Sequence, residues 1–174
     1  PRVPLGKVCQ THRIWLHVDA AYAGVCSMLP ECSEHFAGLE YADSYVFNPH
    51  KWLFVNFDCS AYYVRDPRHL VETFGMNPEY LRHSQDEATA NFRDWGIQLG
   101  RRFRALKLWF VLRSYGAKGL RSLLRDHMAW AMRFADWVQE HPHLELMAPV
   151  TFALVCFRAL PHATEDPDAL NEAL

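Results

Sequence analysis

Three short runs of apolar residues in the first half of the chain constrain its fold most strongly. They cover residues 14–18, 44–48 and 59–64, and a helix-like stretch over residues 5–12 precedes them. A nearly continuous apolar run of this length is typical of a strand buried on both faces, as in a parallel sheet covered by helices. Because loops or helices separate the three runs, the pattern predicts an α/β fold.

The second half of the chain follows a helical period instead. Apolar residues recur at three- and four-residue spacing from Leu99 to a stop at Tyr115-Gly116, and a second helix is predicted over residues 118–140. Strand candidates at residues 144–149 and 151–160 then begin an α+β unit. We therefore predict two units: the C-terminal part of a large domain over residues 1–112 and the beginning of a smaller α+β domain over residues 113–174.

Residues 66–98 form the most polar part of the chain and show no clear period between Met76 and Asn91. Structureless segments of that length are usually lids or binding loops. The sequence therefore predicts a long functional loop between the strands and the helices.

Composition excludes several classes of protein. The chain has 174 residues, of which 50% are hydrophobic and 22% are charged, and its formal net charge is -2. These values are typical of a globular protein, and the absence of clustered Lys and Arg argues against nucleic acid or an anionic membrane as a partner. No apolar stretch approaches the roughly 20 residues that span a bilayer. Since the chain starts without Met and ends in a helix-like pattern, we expect a fragment of a longer protein.

The five cysteines form an odd count without a Cys-x-x-Cys pair. In a chain of this size that pattern favours a reducing, cytoplasmic setting. Neither Cys26 and Cys32 nor His141-Pro142-His143 has the spacing of a zinc ligand set, so no metal site is predicted.

Lys51 and Asp19 are the residues best placed for chemistry. Only four residues are Lys against fourteen Arg, and Lys51 directly follows a predicted strand. A lysine half-buried beside Trp52 can form a Schiff base with an aldehyde, which an arginine cannot. Asp19 ends the first predicted strand, where ligands of open α/β sheets bind. Taken singly, Lys51 can equally be a solvated loop residue and Asp19 the cap of a turn. Together, a buried carboxylate and a Schiff-base lysine are what a pyridine-ring cofactor needs.

Four motifs in order along the chain resemble those of a known family, the pyridoxal-phosphate-dependent decarboxylases of the aromatic L-amino acid group. That family has the aspartate-aminotransferase-like fold type I, in which a mostly parallel sheet forms the large domain. The similarity extends over essentially the whole chain. The motifs are His17-Val18-Asp19-Ala20-Ala21-Tyr22-Ala23-Gly24, Asn48-Pro49-His50-Lys51-Trp52, Val55-Asn56-Phe57-Asp58-Cys59-Ser60-Ala61 and Leu99-Gly100-Arg101-Arg102-Phe103-Arg104.

The resemblance implies a role for each matching residue. Lys51 would carry pyridoxal 5'-phosphate as a Schiff base, Asp19 would pair with the pyridinium nitrogen, and the small Ala21 would leave room for the ring. Asn48 and His50 would lie close to the cofactor, the asparagine near its phosphate. The implied reaction is decarboxylation of an aromatic L-amino acid to the amine and carbon dioxide.

The resemblance also implies a role for Tyr80, in Asn77-Pro78-Glu79-Tyr80-Leu81. It matches the loop tyrosine that donates a proton to the intermediate, on a loop that reaches the partner subunit's active site. The full-length protein is therefore expected to be a homodimer with a small amino acid as its substrate.

Other activities remain open. The alternatives are a decarboxylase acting on histidine, glutamate or a sulfinated acid, an aminotransferase, or an inactive fragment with only an association role. Trp52 argues against the acidic-substrate decarboxylases, which usually have Met there, and His50 against the animal histidine enzymes, which have Ser.

Overall fold

The computed structural model describes residues 2–75, 91–161 and 166–173. The chain divides into two compact units, Pro1–Ser114 and Tyr115–Leu174. Assignment of these units to a large and a small domain with a boundary after residue 112 stays a prediction. The helices are α1 (Arg2–His12), α2 (Pro49–Trp52), α3 (Arg68–Phe74), α4 (Arg104–Glu140) and α5 (Pro167–Ala173), and the strands are β1 (His17–Asp19), β2 (Ser44–Phe47), β3 (Ala61–Val64), β4 (Leu144–Leu146) and β5 (Phe157–Ala159).

A three-stranded sheet in the order β1, β2, β3 organises the first unit. Strand β1 is parallel to β2, with Asp19 opposite Val46, and β3 is antiparallel to β2, with Ala61 opposite Phe47. The prediction of an α/β fold is confirmed. The carboxyl ends of β1 and β2 lie at the same edge of the sheet because the two strands are parallel.

The first strand is shorter and more exposed than the apolar run predicted. Ile14 and Trp15 precede β1 and are 55% and 46% exposed. The backbone N–H of Ile14 donates to the carbonyl of Cys9 at 2.9 Å, which ends α1 there. Moreover, among the strands that the structure describes, β1 pairs with β2 on one side and with no strand on the other. Burial of this strand on both faces was therefore a wrong prediction for this chain.

The core of the first unit lies beneath the carboxyl ends of β1 and β2. Two 3-10 helices, Ala23–Met28 and Pro30–Phe36, follow β1, and the first of them contacts β2 and α2. The buried side chains of this core are Val25, Cys26, Leu29, Cys32, Trp52, Leu53, Val55 and Cys59. Burial of this apolar surface holds the turn after β2 against the sheet.

The predicted loop over residues 66–98 contains helical structure at both ends. Helix α3 covers Arg68–Phe74, and a 3-10 helix covers Phe92–Trp95. Asp66 lies just before α3, and its Oδ1 accepts the Arg68 backbone N–H at 3.0 Å. The prediction of one structureless loop is therefore wrong at its ends, and residues 76–90 lie outside the described residues.

The second unit contains most of α4 and a hairpin of short strands. Gly116, with φ 64° and ψ 169°, interrupts the helical backbone of α4 at the predicted stop. Beyond it, the side chains that α4 buries are Leu120, Leu124, Ala131, Ala135 and Val138. Strands β4 and β5 are antiparallel, with Leu144 opposite Ala159. No helix in the described ranges combines the length and the apolar character that a membrane span needs.

Candidate active site

Asp19 ends β1 at the edge of the sheet where β2 also ends. Its Oδ1 accepts the backbone N–H of Ala21 at 2.9 Å, which caps the turn after the strand. The Oδ2 atom accepts no hydrogen bond from the described part of the chain. The side chain is exposed, so the expected burial of this carboxylate is wrong for this chain, since β1 is at the edge of the described sheet.

The parallel pairing of β1 and β2 continues beyond the strands and brings Ala21 next to Asn48. The backbone N–H of Ala20 donates to the carbonyl of Val46 at 2.9 Å, and the N–H of Asn48 donates to the carbonyl of Ala21 at 3.0 Å. Two predicted site residues that are 27 positions apart in sequence are therefore joined directly by their backbones.

Lys51 lies in α2, the single helical turn that follows β2. Its backbone N–H donates to the carbonyl of Asn48 at 2.9 Å. The Lys51 side chain is exposed, whereas Trp52 is only 5% exposed and packs on Tyr22. Successive residues of a helix point about 100° apart, so Trp52 does not cover the preceding side chain. The expectation that Lys51 is half-buried beside Trp52 is therefore wrong for this chain.

His50 is fixed by the backbone of Cys59, a buried residue just before β3. Its Nδ1 lies 2.9 Å from the Cys59 nitrogen and 2.7 Å from the Cys59 carbonyl oxygen. Nδ1 accepts from the N–H in one tautomer and donates to the carbonyl in the other, so Cys59 orients the ring in both. Phe57 contacts the same ring edge-on, with ring centroids 4.9 Å apart.

The loop that carries Cys59 is in turn bound to the beginning of α4. Arg104 Nε and Nη2 each lie 2.9 Å from Asp58 Oδ2. The hydrogen bond from Arg104 lowers the pKa of the Asp58 carboxyl below its ordinary value. Asp58 and Arg104 both belong to motifs found in the sequence, but neither was predicted to have a role. Their spacing along the chain does not indicate that they form a pair.

The structure thus brings Asp19, Ala21, Asn48, His50 and Lys51 to one edge of the sheet. Tyr80 lies outside the described residues. The roles of all six residues stay predictions. No three His, Cys, Asp or Glu side chains among the residues with described positions are grouped as a metal site.

Comparison with known proteins identifies the family. Residues 3–160 match the model of the pyridoxal-dependent decarboxylase conserved domain. The aromatic-L-amino-acid decarboxylase of Drosophila lebanonensis is 47% identical over 165 residues, which are 95% of this chain and 41% of that protein. The phenylacetaldehyde synthase of Arabidopsis thaliana is 44% identical over 173 residues, which are 98% of this chain and 35% of that protein.

A solved structure agrees with the sequence comparisons. The structure of Oryza sativa TDC with PLP and tryptamine superposes with a TM-score of 0.92 at 40% identity, covering 99% of this chain and 37% of that one. The chain thus spans about two fifths or less of the length of these three relatives. The predicted similarity to fold type I enzymes is confirmed, and the chain belongs to the family of pyridoxal-dependent decarboxylases.

Proposed function

We propose that the full-length protein that carries this chain decarboxylates an aromatic L-amino acid to the amine and carbon dioxide, with Lys51 as the residue that binds pyridoxal 5'-phosphate. The observation that carries the proposal is the parallel pairing of β1 and β2. This pairing places a carboxylate and a lysine-bearing turn at one edge of the sheet, where ligands of α/β folds bind.

The residues present fit this cofactor. Lys51 offers an exposed amine, which can react with an aldehyde. Asp19 offers an oxygen that the described residues leave without a hydrogen bond, and this oxygen can accept from a protonated ring nitrogen. Ala21, whose backbone bonds to Asp19 and to Asn48, has only a methyl group to place beside a planar ring. The site therefore offers an amine, a carboxylate and a small apolar side chain.

Each of these residues has a separate task. When bound, pyridoxal 5'-phosphate supplies the electron sink that accepts the electron pair left when carbon dioxide departs. Lys51 Nζ would hold the cofactor through its aldehyde carbon. Asp19 Oδ2 keeps a proton on the ring nitrogen by placing a negative charge beside it. The small Ala21 side chain would leave room for the ring.

Two further residues would lie close to the cofactor, Asn48 near its phosphate, and a third residue would donate a proton. Asn48 and His50 are held by backbone hydrogen bonds to Ala21 and Cys59, which suits groups that orient a ligand rather than react with it. The Tyr80 hydroxyl donates a proton to the α-carbon of the substrate, from a partner subunit in a homodimer. These assignments follow the family resemblance.

The substrate class follows from the relatives. The relatives reported above are named for aromatic substrates or products, which supports an aromatic amino acid over histidine, glutamate or a sulfinated acid. The Arabidopsis relative is named for an aldehyde product, so the identity of the product is a separate question. Analysis of the products for amine, aldehyde and carbon dioxide answers it.

Reductive labelling tests the proposal. Borohydride added to the full-length holoprotein is expected to attach the cofactor irreversibly to Lys51, and peptide mapping locates the label. Lys51→Arg should abolish the label, whereas the matched variant Lys7→Arg should keep it. Label on Lys7, Lys107 or Lys118 would refute the assignment. Amine formation from tryptophan or tyrosine, but not from histidine or glutamate, would support the substrate class.

A further inference from the structure

The ion pair between Asp58 and Arg104 joins two segments of the first unit that are 46 positions apart. Two nitrogens of Arg104, the first residue of α4, lie 2.9 Å from one carboxylate oxygen of Asp58. Arg102 Nη1 approaches the other oxygen at 3.7 Å. The side chains of Arg104 and Asp58 are 36% and 34% exposed, so solvent screens this pair only in part.

Two weaker contacts attach the same loop to the same helical turn. Lys107 Nζ donates to the carbonyl of Asn56 at 2.8 Å. Cys59 Sγ lies 4.0 Å from the carbonyl oxygen of Arg104. The loop over residues 56–59 is therefore held to the first turn of α4 at three places: Asn56, Asp58 and Cys59.

The other side of this loop holds the turn that carries Lys51. The backbone N–H of His50 donates to the carbonyl of Cys59 at 3.3 Å, and the His50 ring lies against the backbone nitrogen and oxygen of the same residue. Three contacts thus link Cys59 to the residue directly before Lys51. A displacement of the loop would break these contacts.

We propose that Asp58 and Arg104 are positioning residues, whose ion pair holds the Cys59 backbone against His50 and so fixes the turn that presents Lys51. This inference rests on the proposed function only for the role of Lys51. Neither Asp58 nor Arg104 is assigned a contact with the cofactor. Both act through Cys59 and His50.

Amide hydrogen exchange of the full-length apoprotein tests the inference without using activity. In Asp58→Asn, peptides covering residues 49–53 should exchange at least about threefold faster, as expected when one partly exposed charge-assisted contact is lost. Peptides covering β2 (Ser44–Phe47) should keep their rates. Faster exchange throughout the first unit would instead show general destabilisation and overturn the positioning role.

Asp66→Asn provides the matched control. Asp66 also pairs with an arginine, because Arg68 Nε lies 2.9 Å from its Oδ1. The pKa of the Asp66 carboxyl is lowered to about 2, chiefly by the side-chain hydrogen bond from Arg68. This pair is local, however, and does not contact α2 or Cys59. The substitution should leave exchange over residues 49–53 unchanged, and an acceleration equal to that in Asp58→Asn would contradict the inference.

Arg104→Lys keeps the test decisive if Asp58→Asn does not fold. It keeps the positive charge but loses the second nitrogen that contacts Asp58, so exchange over residues 49–53 should lie between the rates of the parent and Arg104→Gln. Unchanged exchange in all folded variants would overturn the inference.

Cofactor dissociation should also become about threefold faster in Asp58→Asn. If borohydride labels another lysine while exchange still accelerates, the proposed function fails and the coupling between the loop and the turn stands.

Discussion

The indole ring of Trp52 lies flat against the phenol ring of Tyr22, with centroids 4.8 Å apart and planes 5° from parallel. Tyr22 directly follows Ala21 at the end of β1, and Trp52 directly follows Lys51 in α2. The stack therefore ties together the two segments that carry the predicted cofactor residues. It is a contact between side chains in addition to the backbone hydrogen bond from Asn48 to Ala21.

Replacing Tyr22 should weaken this connection. Tyr22→Leu removes the ring and is expected to lower the free energy of unfolding by about 1 kcal/mol beyond the change in buried area. Tyr22→Phe keeps the stack and should stay close to the parent. Thermal unfolding of the full-length protein, followed by circular dichroism, compares the two variants. Equal melting temperatures for the Leu and Phe variants would show that the stack contributes nothing.

The sequence predicted that Asp19 and Lys51 share one edge of the sheet but not how far each side chain is exposed. Asp19 ends one strand and Lys51 lies in the turn after the next, and the ends of parallel strands share an edge. Their exposure was predicted wrongly, because burial depends on which segments cover a strand. The pairing of Asp58 with Arg104 could not be predicted, because residues 46 positions apart meet only through the fold.

Gly24 is predicted to tolerate no side chain. A Cβ there would lie 2.5 Å from Tyr45 Oη and 2.6 Å from Phe47 Cβ, both on β2. Gly24→Ala is therefore expected to destabilise the first unit by about 1–3 kcal/mol through overpacking. The control is Gly119→Ala in α4, where the nearest atom would be 3.6 Å away, and this variant should be neutral or more stable. Denaturant unfolding of both variants gives the comparison. A Gly24→Ala protein as stable as the parent would contradict the close packing of the 3-10 helix Ala23–Met28 against β2.

Asp19→Asn distinguishes two roles of Asp19: capping the turn after β1 and supplying a negative charge to the cofactor. Asparagine keeps an oxygen that can accept the Ala21 N–H, so the turn should persist. It cannot keep the ring nitrogen protonated, and the rate of decarboxylation should fall on the order of a thousandfold.

Asp43→Asn is the matched control for that substitution. Asp43 directly precedes β2, and its Oδ2 accepts the backbone N–H of Leu16 at 2.8 Å. It lies at the opposite end of the strands from Asp19, so loss of this half-buried charge should leave the rate within about twofold of the parent. Single-turnover kinetics measure both. If Asp19→Asn decarboxylates the substrate at the parent's rate, Asp19 serves only to cap the turn.

Tyr80 is predicted to donate a proton to the substrate. This role follows from the family resemblance, because Tyr80 lies outside the described part of the chain. A phenol with the ordinary pKa of about 10 stays protonated at neutral pH and can donate a proton. Tyr80→Phe should therefore bind cofactor and substrate nearly as the parent does but form little amine. Tyr62→Phe, at an exposed tyrosine of β3, should form amine normally. Product analysis for amine and aldehyde follows both variants.

Mixing Tyr80→Phe with Lys51→Ala chains tests whether the tyrosine acts across a subunit interface. Neither variant alone has a complete site. In a mixed dimer, one site would combine an intact Lys51 with an intact Tyr80 from the partner, and part of the activity should return. Differently tagged chains, purified over two affinity columns, ensure that only mixed dimers are assayed. Mixed dimers without recovered activity would place both residues in the same chain's site, and parental amine formation by Tyr80→Phe would exclude this tyrosine as the proton donor.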